Sequence, residues 1–180
     1  YPEITPVLEG EGAWKFYSNP APKEDFVNMF NDSSTFGQYV RFVSKWIDSD
    51  EGKQLAEPIW VVIDMNSVIN ISKIDFKVTP QDFLKVPMTN AVNIYRSDSA
   101  NDMDFGTNPD CGSFKLCGTY KFEGDILSHT FEIAATNATS RYIKVEFPDA
   151  WGDGSDGGFP MNNPEVNIRL LKPYTISVNN

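Results

Sequence analysis

The sequence predicts an all-β chain folded as a sandwich or jelly roll. Short runs alternate apolar and polar residues with period two, as in Ile143, Val145 and Phe147 against Tyr142, Lys144 and Glu146. Gly, Pro, Asn, Asp and Ser break these runs about every ten residues. Helical spacing is confined to one short stretch around Phe26, Met29 and Phe30, enough for one or two turns.

The centre of the sheet is read in Ile59–Val78. Residues 59–65 are β-branched and aromatic and suit a buried strand. From Ser72 the pattern alternates, with Ile74, Phe76 and Val78 on one face and Lys73, Asp75 and Lys77 on the other. The Asn- and Ser-bearing residues between read as the turn of an antiparallel hairpin. Before it, residues 1–22 hold four prolines and read as an extended lead-in whose Trp14, Phe16 and Tyr17 pack onto the sandwich. Residues 39–46 suit a strand and 47–58 a long acidic loop. After it come strands at 91–96, 119–122, 128–134, 142–147 and 166–171. Residues 79–90 read as an irregular crossing, 97–104 as a polar turn, 148–164 as a Gly- and Asp-rich loop and 173–180 as a tail. The domain is placed at 23–172.

At 180 residues the chain makes one large domain. It buries about 70% of the surface its unfolded form exposes, so no staple is required. A formal net charge of −10 argues against nucleic acid and against an anionic membrane surface. In the plainest reading it keeps an exposed surface soluble. No run approaches the roughly 20 apolar residues of a membrane helix. The chain starts at Tyr1-Pro2 and reads as mature or trimmed, so the missing signal peptide says nothing of compartment. Cys111 and Cys117 are the two cysteines: either a small disulfide loop worth about 2 to 2.5 kcal/mol or two free thiols. The single histidine, His129, leaves no metal set around them. No nucleophile elbow or zinc motif is present, and acids on solvated loops do not make the rigid carboxylate pair of a glycosidase.

The order of the pieces carries a resemblance. Ser44-x-Trp46 follows an early Asn31-Asp32-x-x-Thr35 loop. Then come Pro58-Ile59-Trp60-Val61-Val62-Ile63-Asp64-Met65, Ile71-x-x-Ile74-x-Phe76, Val92-x-Ile94-Tyr95-x-Ser97-x-Ser99 and Ala138-Thr139-Ser140-Arg141-Tyr142-Ile143-Lys144-Val145. Over roughly residues 26–171 the chain resembles the discoidin, or coagulation factor 5/8 type C, family, in the form found in surface proteins of gut Bacteroidetes. The resemblance implies a discoidin-like β-sandwich jelly roll of the galactose-binding-like kind, exported to a bacterial cell surface or periplasm. The chain departs from the pattern in a longer 35–46 segment, in Asn167 where a glutamate is common, and in lacking the terminal cysteine pair of the clotting members.

The resemblance also implies a structural calcium site, with Asp32 and Thr35 in the early loop and Glu165 or Asn167 on the final strand. Ca²⁺ takes six to eight hard oxygens at about 2.3–2.6 Å, which such loops supply. The plainer use of Asp32 and Thr35 is to cap turns. The Asp149–Asp156 run has calcium-loop alternation but no EF-hand glutamate, and reads equally as a solvated loop.

Sugar binding needs an exposed aromatic ring beside polar groups on a rim. Trp46 with Asp48 and Asp50, and Trp151 with Asp149 and Asp153, fit that pattern, with Arg96 a third candidate; Trp60 reads as packing. The Asn-x-Ser/Thr triplets at Asn31, Asn70 and Asn137 are what an Asn- and Ser-rich chain contains by chance. The reading is a non-catalytic carbohydrate-binding module. Its partners are a glycan or polysaccharide and other domains of a parent protein or outer-membrane complex, without nucleic acid or membrane insertion. The alternative is an interaction or structural domain that binds no sugar. Trp46 and Trp151 exposed on one rim separate the two.

Overall fold

β-branched and aromatic strands build two antiparallel layers around one core. The structure is a computed structural model that describes residues 4–30, 39–49, 52–55, 57–78, 91–97, 114–121, 128–132, 139–148 and 165–175, with side chains for all of these except 46–49, 52–55, 128–132 and 139. The first layer runs β1 (Lys15–Asn19), the first half of β5 (Ile59–Val78), β9 (Thr139–Phe147), β6 (Ala91–Ser97), β7 (Lys115–Lys121). The second runs β2 (Val40–Val43), β10 (Glu165–Thr175), the second half of β5, β8 (Ser128–Glu132). Among the described residues, β3 (Trp46–Ser49) and β4 (Gly52–Leu55) pair only with each other. A 3-10 turn, Phe26–Met29, is the one helical element among the described residues, and no described helix is long and apolar enough to cross a membrane.

β5 is not the hairpin its sequence suggests. Its halves never pair with each other: Ile59 to Asp64 pair with β1 and β9, and Ile71 to Val78 with β10 and β8. Between them the chain passes from one layer to the other. The Asn66 N–H donates to Asp64 Oδ1 at 2.8 Å, and Asn66 takes φ 63°, a conformation Asn tolerates through local hydrogen bonding. The Phe76 and Phe147 rings, one from each layer, lie 5.7 Å apart across the core. The halves of β5 therefore face each other, and Ile59 and Val78 share one end of the sandwich.

The alternation read from sequence sets the core. Ile59, Val61 and Ile63, then Ile74, Phe76 and Val78, then Ile143, Val145 and Phe147, with Val166 and Ile168, are buried together. The 3-10 turn closes one side. Asp25 caps it by accepting the Val27 N–H at 3.1 Å. Phe26 stacks on Phe16 of β1 at 5.1 Å and meets Phe42 of β2 at 6.3 Å, so one ring bridges both layers.

Three polar or proline-bearing segments are more ordered than their composition suggests. Residues 46–49 and 52–55 pair as strands within what reads as an acidic loop. β1 makes the lead-in an edge strand, with Trp14 buried as the aromatic spacing implies. β10 runs on to Thr175 because other segments hold its last carbonyls: Ile4 N–H on Pro173 O at 3.2 Å, and Ser72 Oγ on Tyr174 O at 3.1 Å and Thr175 O at 3.0 Å.

Candidate functional site

The β3–β4 hairpin joins Val43 to Ile59. Val43 stands opposite Glu165, where β10 opens, and Ile59 opposite Phe147, where β9 closes. Trp46 and Asp48, two apart on β3, share one face of the hairpin and stand opposite Leu55 and Lys53. Asp149, Trp151 and Asp153 lie outside the described residues, in the stretch between Pro148 and Glu165. The strands on both sides of that stretch end at the same pole of the sandwich as the strands flanking the hairpin.

Arg96 is at the other pole. It pairs with Ile143, four residues along β9 from Phe147, which is about 14 Å of strand. Its face of β6 carries Val92 and Ile94 into the core, and its guanidinium reaches Cys117 on the neighbouring β7. Arg96 therefore does not share the hairpin pole with Trp46 and Asp48. Cys117 is a free thiol among the described residues; Cys111, the other half of the possible loop, lies outside them. Burial pushes the Cys117 thiol above its ordinary range, and Arg96 partly opposes this.

Of the calcium candidates, Asp32 and Thr35 lie outside the described residues, while Glu165 and Asn167 share the outer face of β10. Asn167 is 7% exposed, and its Oδ1 is buried with no hydrogen-bond partner among the described residues. Burying such an oxygen unpaired costs about 1–3 kcal/mol, and a hard cation is one way to satisfy it. Beside it, Arg41 stands opposite Asn167 and is held by Glu24, whose carboxylate takes the Arg41 backbone N–H at 2.8 Å and Nε at 2.5 Å. That pair raises the Arg41 guanidinium above its ordinary value, with Glu165 contributing. Glu24 answers the neighbouring Arg41 cation, and Glu165 and Asn167 are the two calcium candidates among the described residues. No cluster of three or more acidic, His or Cys groups suited to a metal occurs among the described residues.

Alternation alone does not describe the outer face of the first layer. Tyr142 and Lys144 alternate with core residues, yet they are themselves 3% and 2% exposed. Lys144 Nζ sits 5.3 Å from the Tyr95 ring and 5.6 Å from the Phe114 ring, and 3.5 Å from Glu146 Oε2. Trp60, Val62 and Tyr142 form a second apolar cluster there with Tyr17 and Phe114, so Trp60 packs against a face, as read. Alternation separates two faces; it does not say that a second layer of rings covers the outer one.

No family model matches the chain, and no curated protein matches it. The solved structures it resembles include several carbohydrate-binding modules. The C-terminal domain of a chitobiase from Bacteroides fragilis is 18% identical with a TM-score of 0.51, over 92% of this chain and 95% of that one. A CBM32 module from Clostridium perfringens, solved with GalNAc-β-1,3-galactose, is 10% identical with a TM-score of 0.53, over 90% and 95%. A chitosan-binding module from a Paenibacillus chitosanase/glucanase is 12% identical with a TM-score of 0.53, over 91% and 94%. At these identities the likeness establishes the fold: an all-β sandwich of the kind carbohydrate-binding modules use.

Proposed function

We propose that this chain is a non-catalytic carbohydrate-binding module of the discoidin type, part of an exported protein of a bacterial cell surface or periplasm. The observation that supports it most is the β3–β4 hairpin, which carries Trp46 and Asp48 on one face at the pole where β9 ends and β10 begins. An aromatic ring offers its face to the apolar side of a pyranose, and a carboxylate beside it accepts from sugar hydroxyls. In this reading Trp151, Asp149 and Asp153 complete the same rim, and Arg96 has a structural role at the far pole. The binding modules whose fold the chain shares belong to larger glycan-acting proteins, which favours a parent protein here too.

Calcium belongs to the same proposal. Asp32, Thr35, Glu165 and Asn167 are its ligands, and the ion supplies the positive charge that Asn167 Oδ1 lacks. A glycan-array screen of the domain, with and without EDTA and beside Trp151→Ala, tests the reading. Binding that Trp151→Ala weakens supports it. A blank array with an unchanged melting temperature in EDTA contradicts both parts and leaves the interaction-domain alternative.

A further inference from the structure

The register lines up five side chains in one row across the outer face of the first layer. Asn19 stands opposite Trp60, Trp60 opposite Glu146, Glu146 opposite Asn93, and Asn93 opposite Thr119. Four interstrand steps make the row about 19 Å long, the span of a short oligosaccharide. The next row toward the far pole is closed, with Val62 and Lys144 essentially buried beneath Tyr95 and Phe114. This row is open at its polar members: Thr119 is exposed and Asn19, Asn93 and Glu146 are half-buried, while Trp60 among them is 7% exposed. It is a ledge along an aromatic wall.

Its polar groups are only partly used. Thr119 Oγ1 donates to Asn93 Oδ1 at 2.6 Å. Glu146 Oε1 receives the Asn93 amide at 3.5 Å and the Tyr95 hydroxyl at 3.4 Å, both long for hydrogen bonds. Asn19 Nδ2 donates outward to Glu57 at 2.9 Å. The second Asn93 N–H, the Thr119 lone pairs and Asn19 Oδ1 remain for a ligand. Lys144 answers the Glu146 charge at 3.5 Å, and the Glu57 carboxylate on Asn19 leaves the ledge slightly acidic. Donors and acceptors alternating beside aromatic rings suit a ligand of many hydroxyls rather than an anion.

The geometry points to this ledge as a second site, separate from the hairpin pole, for a neutral oligosaccharide lying across the strands. It rests on the glycan-binding reading above and adds a face to it. The test titrates the soluble neutral oligosaccharide that gives the strongest array signal into the wild-type protein, Asn93→Ala/Thr119→Ala and Trp151→Ala. Thr119→Ala alone, at an exposed position, is the control should the double variant melt early. About tenfold weaker binding in the ledge variants, with Trp151→Ala keeping that component, is the expected result. Ledge variants that bind like wild type while Trp151→Ala does not overturn the ledge and leave the rim. No binding by the wild-type protein overturns both.

Discussion

Arg141 holds both oxygens of Asp64, Nε on Oδ1 at 2.9 Å and Nη2 on Oδ2 at 3.2 Å, across 77 residues of sequence. The same Oδ1 takes the Asn66 N–H at 2.8 Å, and the Arg141 guanidinium lies 5.1 Å from the Tyr142 ring. One carboxylate thus joins the layer crossing of β5 to the start of β9. Asp64 is 5% exposed, so its loss leaves an arginine and an amide unanswered in a partly buried place. Asp64→Ala should cost about 3 kcal/mol, read as a lower urea midpoint at unchanged slope. Arg141→Lys should fall between, because an ammonium cannot bridge both oxygens.

Phe76→Ala should cost about 3–5 kcal/mol. The ring is 1% exposed and packs on Phe147 from the opposite layer, so truncation opens a void that neither sheet can close alone. Leu116→Ala, at a 55% exposed position of edge strand β7, should change the midpoint little.

Asn167 gives a prediction with opposite signs in two buffers. In EDTA, Asn167→Leu should equal or exceed the wild type by about 1 kcal/mol, since it removes an unpaired buried oxygen. Calcium should raise the wild-type melting temperature and leave the variant unmoved. A variant that melts several degrees early in EDTA would show that the oxygen is bonded in the folded state.

Cys117 should react slowly. Burial raises its thiol, so the reactive thiolate forms only above the ordinary thiol range. In Cys111→Ser, thiol-reagent labelling at pH 8 should be slower than for the unfolded chain and should accelerate as pH rises. The fold favours the protonated thiol. Its contribution to stability is therefore complete below the unfolded thiol's pKa and fades as pH climbs through the raised value. Arg96→Ala removes the group that lowers this pKa and should slow labelling further.

Strands with one clear face were legible in sequence: β9, β6 and the second half of β5 declare themselves by alternation, and their inward residues are the core. What was not legible is long-range. Residues 65–70 carry turn chemistry, and whether a turn reverses the chain or carries it to another layer depends on partners 77 and about 100 residues away. The β3–β4 hairpin hid in an acidic composition, because two short strands that pair only with each other need little apolar pattern. At the site, Trp46 and Asp48 were singled out by residue type, and the structure adds their register on the β3–β4 hairpin. Arg96 was not separable from them until the register of β6 placed it at the far pole. The Asn93–Glu146–Thr119 ledge has no motif at all, since its members come from three strands.

The most direct test of the central claim is isothermal titration of the array-selected glycan into the wild-type domain and Trp46→Ala. Binding in the wild type, lost at least about tenfold in a Trp46→Ala protein of unchanged melting temperature, is the predicted result. Equal binding by both proteins would contradict the assignment of the hairpin pole as the recognition surface.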